Sequence, residues 1–198
     1  MLEAIDLTQK FPRDQYKRAV AELRERFRQL QYDLLQAEVP TVMVFEGWAA
    51  SGAEDIIRRL TGRVDPRAFE VHPAAPPSIL EERYHFLWRF QNRLPEDGHM
   101  ALFDQSWYRR VLLERVDKRV KKRQWRAAYE QINQFERWLA DDGQVLVKLW
   151  FHVSAKEQRR RLERLGKDPL TRWRVEGGEW RQNHRYRCAC FRAMRRSW

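Results

Sequence analysis

Cysteine, histidine and long apolar runs are all scarce in this chain. Its only two cysteines, Cys188 and Cys190, form a Cys-x-Cys pair. That spacing makes a strained disulfide and completes no zinc pattern, so reduced thiols are expected. The five histidines are scattered and form no ligand cluster, so none is assigned a catalytic role. No apolar run approaches bilayer-crossing length, and the N-terminus has no basic-then-apolar leader. A soluble cytoplasmic protein is the expectation. With no repeat and no low-complexity linker, residues 1–198 read as one domain.

What is present is charge. Charged residues make up 34% of the chain and hydrophobic ones 43%, a globular composition with a very polar surface. The net charge of +11 fits a polyanionic partner (nucleic acid, nucleotide or inorganic polyphosphate) or simply a basic surface. Arginine far outnumbers lysine, which suits bidentate phosphate contacts and equally suits a GC-rich genome.

Periodicity gives an alternating α/β order. Tyr16, Ala19, Val20, Leu23, Phe27, Leu30 and Leu34 recur at helical spacing over residues 13–36. Buried strands are expected at 42–45 and 99–103, a short strand at 68–71, a strong strand at 145–151, and a helix from Gly52 to about Leu60. Ser78 and Glu81 form a capping box that predicts a helix to about Arg93; Ser154 and Glu157 form a second, opening a very basic helix. A helix is expected from Ser106 and another over 118–140, with Tyr129, Ile132, Phe135, Glu136 and Leu139 as its seam. A last helix starts near Glu179. The pattern implies a parallel sheet with crossover helices on both faces.

Ligands bind beyond the carboxyl ends of such strands, and three strand ends carry polar residues: Gly47–Gly52, Asp104–Tyr108 and His152–Ser154. Gly47 and Gly52 stand as the glycines of G-x-x-x-x-G-K-[ST] do, after an apolar strand and before a helix. The lysine position holds Ala53 and the hydroxyl position Glu54. The strand ending at Asp104 has the form that presents an aspartate to Mg²⁺. Plainer readings stand beside these. The glycines serve the turn itself, Asp104 caps the following helix, and Trp107 and Tyr108 are core.

Glu46-Gly-Trp-x-x-Ser-Gly52, Phe103-Asp-x-Ser-Trp-Tyr-x-Arg110, Glu114-Arg-Val116 and Trp125-x-Ala-x-Tyr129 resemble the family-2 polyphosphate kinases. Ile132-Asn, Phe135-Glu, Lys148-Leu-Trp-Phe-His152, Glu157-Gln158, Asp168-Pro169 and Trp173 continue the match in order. The arrangement Val71-His-Pro, Glu81-Glu-Arg, Trp88-Arg-Phe90 is most similar to the polyphosphate:AMP phosphotransferase branch. The resemblance implies a P-loop kinase-like three-layer α/β/α sandwich. Its N-terminal helix would cover about 13–36, its core 41–153, and its helical lid and C-terminal helices 154–198. It also implies phosphoryl transfer between polyphosphate and nucleotides with Mg²⁺. Asp104 would serve catalysis and the metal, Arg161 the lid, and Gly47, Gly52, Ser106, Arg110, Arg172 and Arg174 the phosphates.

Three positions depart from the family pattern. Ala49 replaces the loop aspartate, Ala53 the lysine, and Gln105 the arginine after the strand-end aspartate. Glu54 and Asp55 put two negative charges at a helix N-terminus meant for phosphate. Losing one preorganised charge-stabilising donor costs roughly 10²–10³ in rate. The first expectation is therefore a catalytically impaired, regulatory domain that still binds polyphosphate or nucleotide. Some family members fuse a degenerate and an active copy, which this chain resembles as a single half. It would pair with itself or an active homologue through the N-terminal helix and the 129–139 seam. The alternative is an active phosphotransferase in which Arg58, Arg59 or Arg63 reaches the phosphate site. Arg159, Arg160 and Arg161 are either a solvated face or a polyanion clamp. No nucleic-acid module is recognisable, so sequence-specific nucleic-acid binding is not expected.

Overall fold

The computed structural model describes residues 5–73, 75–175 and 177–186, so Cys188 and Cys190 lie outside the described residues. Four parallel strands, β1 (Thr41–Gly47), β2 (Phe69–Pro73), β3 (Met100–Asp104) and β4 (Val145–Phe151), are ordered β2-β3-β1-β4. Thr41 of central β1 is in register with Met100 on one side and Val145 on the other. The helices are α1 (Arg13–Gln36), α2 (Ala53–Thr61), α3 (Trp88–Gln91), α4 (Arg109–Val116), α5 (Lys122–Asp141), α6 (Ala155–Lys167) and α7 (Gly177–His184).

Strand alternation sorts the core into two halves. Met43, Phe45, Met100 and Leu102 pack on Ala53 and Ile57 of α2 and on Phe27 and Leu34 of α1. Val42, Val44, Ala101 and Phe103 face the other way, against Phe90 of α3, Val111 of α4 and the α5 side chains Ala128, Ile132 and Leu139. This is the expected three-layer α/β/α sandwich. Gln31, buried near the C-terminal end of α1, fastens that helix to the chain after α2. Its amide donates to Asp65 O at 2.9 Å and accepts from Asp65 N at 2.7 Å.

Several expectations change. The Ser78–Glu81 capping box forms, with Ser78 N donating to Glu81 Oε2 at 2.7 Å and Glu81 N to Ser78 Oγ at 3.2 Å. The helix to Arg93 does not follow it. A 3₁₀ turn at Glu81–Arg83 ends where Tyr84 becomes extended (φ −110°, ψ 170°), and only the single turn of α3 comes after. Leu87 and Phe90 must reach the core while Arg89 and Arg93 turn back to Glu81, at 3.4 and 3.0 Å. Tertiary packing overrides the local start signal. Helix α4 begins at Arg109 rather than Ser106, and α5 at Lys122 rather than near 118, because Lys118 takes a left-handed φ of 57°.

The α5 seam is not a partner surface. Tyr129, Ile132, Phe135, Glu136 and Leu139 are all buried within this chain. Glu136 takes the indole N–H of Trp107 (3.0 Å), the hydroxyl of Tyr108 (2.7 Å) and the ammonium of Lys148 (2.9 Å). Its acid is thereby matched inside the core. Trp107 and Tyr108 are fully buried, as core residues.

Candidate functional site

The chain leaves β1 at Gly47 because nothing larger fits there. A Cβ would lie 2.5 Å from the Phe151 carbonyl oxygen and 2.9 Å from Phe151 Cβ. Trp48 is buried next, its N–H donating to His152 Nδ1 at 3.1 Å and its ring stacked on Tyr186 at 4.1 Å. Ala50 takes φ 57°, Ser51 N donates to Trp48 O at 2.9 Å, and Gly52 (φ 97°) leads into α2. The turn of a phosphate-binding loop is present.

Helices α6 and α7 hold the back of this loop. Gln158 Nε2 donates to Ala49 O at 3.2 Å, and Ala49 N donates to Gln182 Oε1 at 2.9 Å. Arg161 Nη1 donates to Ser51 O at 2.7 Å and Ala50 O at 3.3 Å, while its Nε donates to Glu157 at 2.7 Å. The guanidinium thus grips the loop's carbonyls. Ser154 caps α6 by accepting from Glu157 N at 3.1 Å, which fixes the register of Gln158 and Arg161.

The loop, Asp104, Gln105, Arg161, Arg164, Arg174 and Glu179 enclose a cavity of about 150 Å³. Its lining sets Glu54, Asp55, Asp104 and Glu179 against Arg161, Arg164 and Arg174, one more acid than base. Arg174 is paired with Glu54 at 2.9 Å. Burial, helped by the charge of Glu54 and opposed by Arg174, pushes the Asp104 carboxyl up to about 6. The lysine position is the small buried Ala53. Gln105 sits at φ 61° and accepts from Arg109 Nη1 at 2.5 Å. Behind it, fully buried Glu46 accepts from Ser106 N and Oγ at 2.7 and 2.8 Å, tying the ends of β1 and β3 together. Burial pushes Glu46 to about 7 despite those donors.

Gly47, Gly52, Asp104, Arg161 and Arg174 therefore converge with Ala49, Ala53 and Gln105 at one cavity. Three other candidates do not join them. Ser106 is fully buried and engaged by Glu46. Arg110 pairs with Glu114 at 2.8 Å and lies over the Phe86 ring at 5.1 Å, in a neighbouring groove. Arg172 is exposed on the short 3₁₀ turn Arg172–Arg174 and does not line the cavity. Nor do Arg58, Arg59 and Arg63: Arg58 pairs with Asp55 in solvent, and Arg59 donates to Tyr16 OH at 3.2 Å. The residue N-capping α4 is Tyr108, not Asp104. Of the α6 arginines, Arg159 pairs with Glu163 and Arg160 with Glu157 on the solvent side. Gln182, Arg109 and Arg164 stand in no motif of the sequence, and Gln158 stands there with no role attached. A lone uncharged Gln158 in so basic a helix was the available signal.

Among the described residues no group of three or more His, Cys, Asp or Glu side chains converges to hold a metal ion. Asp104 offers one carboxylate, which fits Mg²⁺ if phosphate oxygens and water complete the shell. No helix among the described residues is long and apolar enough to cross a membrane.

Comparison with known proteins agrees with this geometry. The family model of polyphosphate kinase 2 (PPK2) matches residues 10–194. The polyphosphate:AMP phosphotransferase of Pseudomonas aeruginosa is 34% identical over 187 residues, covering 94% of this chain and 38% of that protein. The AMP/ADP-polyphosphate phosphotransferase of Meiothermus ruber is 34% identical over 163 residues, covering 81% of this chain and 61% of that one. A polyphosphate kinase 2 crystal structure from Pseudomonas aeruginosa superposes with TM-score 0.88 at 34% identity, over 93% of this chain and 40% of that chain. The chain thus spans well under half of its Pseudomonas relative. A match along nearly all of its own length, running through the loop and the β3 end, means that this chain belongs to the polyphosphate kinase 2 family.

Proposed function

We propose that this chain is a regulatory or otherwise non-catalytic domain that binds polyphosphate or nucleotide, with the phosphoryl transfer named for its relatives strongly impaired. One observation carries the reading. Where α2 would meet phosphate, Ala53 brings no cation, and the Glu54 carboxylate is paired with Arg174 at 2.9 Å. Phosphoryl transfer depends on positioned positive charge around the group in flight. Here Arg161 faces loop carbonyls, and the cavity has an acid in excess. Bound phosphates together with Asp104 would hold Mg²⁺, which supplies charge neutralisation when present. Arg174 would orient the polyanion after leaving Glu54.

The test is to combine pure protein, polyphosphate, AMP or ADP and Mg²⁺. Nucleotide phosphorylation at background level is expected, alongside calorimetric binding of polyphosphate. Transfer that Asp104→Ala abolishes would overturn the reading in favour of an active phosphotransferase. One feature favours that second reading: Arg109 reaches Gln105 at 2.5 Å, placing a guanidinium beside the position that lost its arginine.

Pairing with a second copy or an active homologue belongs to the same proposal, now through α1 alone, whose Leu23 and Leu30 are exposed. A strict monomer by light scattering, with no complex on mixing with a full-length homologue, would count against it.

A further inference from the structure

We propose that residues 115–126, the short connector between α4 and α5 taken together with the two helix ends that flank it, form a second polyanion-docking surface, separate from the loop cavity, and that its ligand is inorganic polyphosphate. This rests on the reading that the domain binds polyphosphate and names where the chain is held. The connector carries seven Lys and Arg residues against the single acid Asp117. Lys118, Arg119, Lys121, Lys122 and Arg123 are exposed, and none has an ion-pair partner among the described residues. The loop cavity has one more acid than base, whereas residues 115–126 carry a net charge of +6.

These cations do nothing evident for the fold. They lie at the positive end of the α5 dipole, and the first turn of that helix has no acidic residue. Acids would be the stabilising choice there. Lys118 also occupies the left-handed region (φ 57°) that favours glycine. A long cationic side chain is thus kept where the backbone and the local field both disfavour it. A dense anion on the surface reverses both the self-repulsion and the unfavourable field.

The connector also adjoins the loop cavity. Arg119 lines a groove of about 400 Å³ that shares Ala49, Glu54, Asp104, Gln105 and Glu179 with the cavity. The groove lining has five acids against Arg109, Arg119 and Arg181, so a flexible chain of phosphates is held by the connector at the groove's rim and not inside it. The surface lacks a free stacking platform for bases. Its one aromatic ring, Trp125, is already covered by Arg115 at 4.1 Å, with Arg126 at 5.7 Å. Single-stranded nucleic acid is normally held by such stacking, so a polyanion without bases is the better fit.

The experiment measures binding of labelled long-chain polyphosphate across a salt series, without nucleotide. Its subjects are wild type, the triple variant Lys118→Gln/Lys121→Gln/Arg123→Gln, and Arg174→Ala in the cavity. The triple variant should lose about ten- to a hundredfold in affinity at low salt, with a salt slope shallower by about 2–3. Its melting temperature should be unchanged or raised, since the three side chains are exposed. Arg174→Ala should lose less than the triple variant does. Unchanged binding by the triple variant, with loss in Arg174→Ala, would overturn the connector site and leave the cavity reading standing. A wild type that binds no polyphosphate would instead sink the functional reading. Single-stranded DNA of matched charge binding as tightly as polyphosphate would overturn the choice of ligand.

Discussion

Glu136 and Asp104 are both acids drawn into the body of the protein, and their surroundings are opposite. Glu136 takes hydrogen bonds from Trp107, Tyr108 and Lys148, so donors and a cation meet its charge. Asp104 has no hydrogen-bond donor among the described residues, and its strongest charged neighbour is the like-signed Glu54. The comparison separates two roles for a carboxylate within one fold. Side chains that tie β3, α4 and α5 together are partnered in the core, while Asp104, at the cavity, meets neither a donor nor an ion-pair partner among the described residues. A fold needs the first set whether or not any chemistry is done.

The sharpest way to break this comparison is Glu136→Ala. It leaves the Lys148 ammonium, the Trp107 N–H and the Tyr108 hydroxyl without their shared acceptor. Removing one partner from a buried ion pair costs about 3–5 kcal/mol. Denaturant unfolding should show that loss; a change under about 1 kcal/mol would mean that water replaces the carboxylate and the network is not structural. Next comes Gly47→Ala, at about 1–3 kcal/mol, because the clash is with the Phe151 backbone and pushes β1 from β4. Gly52→Ala should cost only about 1 kcal/mol, from its left-handed φ. If Gly52→Ala proved the more damaging, the strand contact would not be what requires Gly47.

These two glycines also show what could be read without coordinates. Their spacing and the apolar run before them exposed the loop, and the Phe103-to-Arg110 string exposed the end of β3. Periodicity located the α5 seam, because 3.6-residue spacing survives any context. It could not say whether the seam met this chain or another. The span 78–93 misled for the opposite reason: its capping box is a local signal, and the demands of Leu87, Phe90 and Arg89 are tertiary. Gln182 leaves no charge pattern to read, and the roles of Gln158 and Gln182 exist only once α6 and α7 lie behind Ala49. Arg161 was identified, but its direction was not; only geometry distinguishes gripping carbonyls from facing phosphate.

Asp104→Asn tests the other half of the comparison and carries the opposite sign. A carboxyl held at about 6 rather than 3.8 binds its proton more tightly folded than unfolded. Wild-type stability therefore falls as pH rises from about 4 to about 6 and then levels off. Asparagine removes that fall, so the variant should be more stable than wild type at pH 7 by about 1–2 kcal/mol. Glu46, held at about 7, contributes a slope of the same sign in both proteins. The difference between the two melting-temperature profiles reports Asp104 together with the effect of its charge on Glu46. Equal profiles would show that Arg174 or bound cation already neutralises the aspartate.

Glu54→Gln has the smallest effect on stability and speaks most directly to the cavity. The Glu54–Arg174 pair is well exposed, with the side chains 60% and 41% accessible. Such pairs contribute about 0–1 kcal/mol, so unfolding should barely change. Binding should change more, because the substitution removes a negative charge from the cavity and releases Arg174 in the same step. Each effect favours an arriving polyanion, and screening limits both. Polyphosphate affinity should rise about two- to fivefold at low salt, and the gain should vanish at high salt. A loss of affinity would mean that Glu54 positions Arg174 for the ligand. The carboxylate would then be part of the binding site, and the contrast with Glu136 would narrow to Asp104 alone.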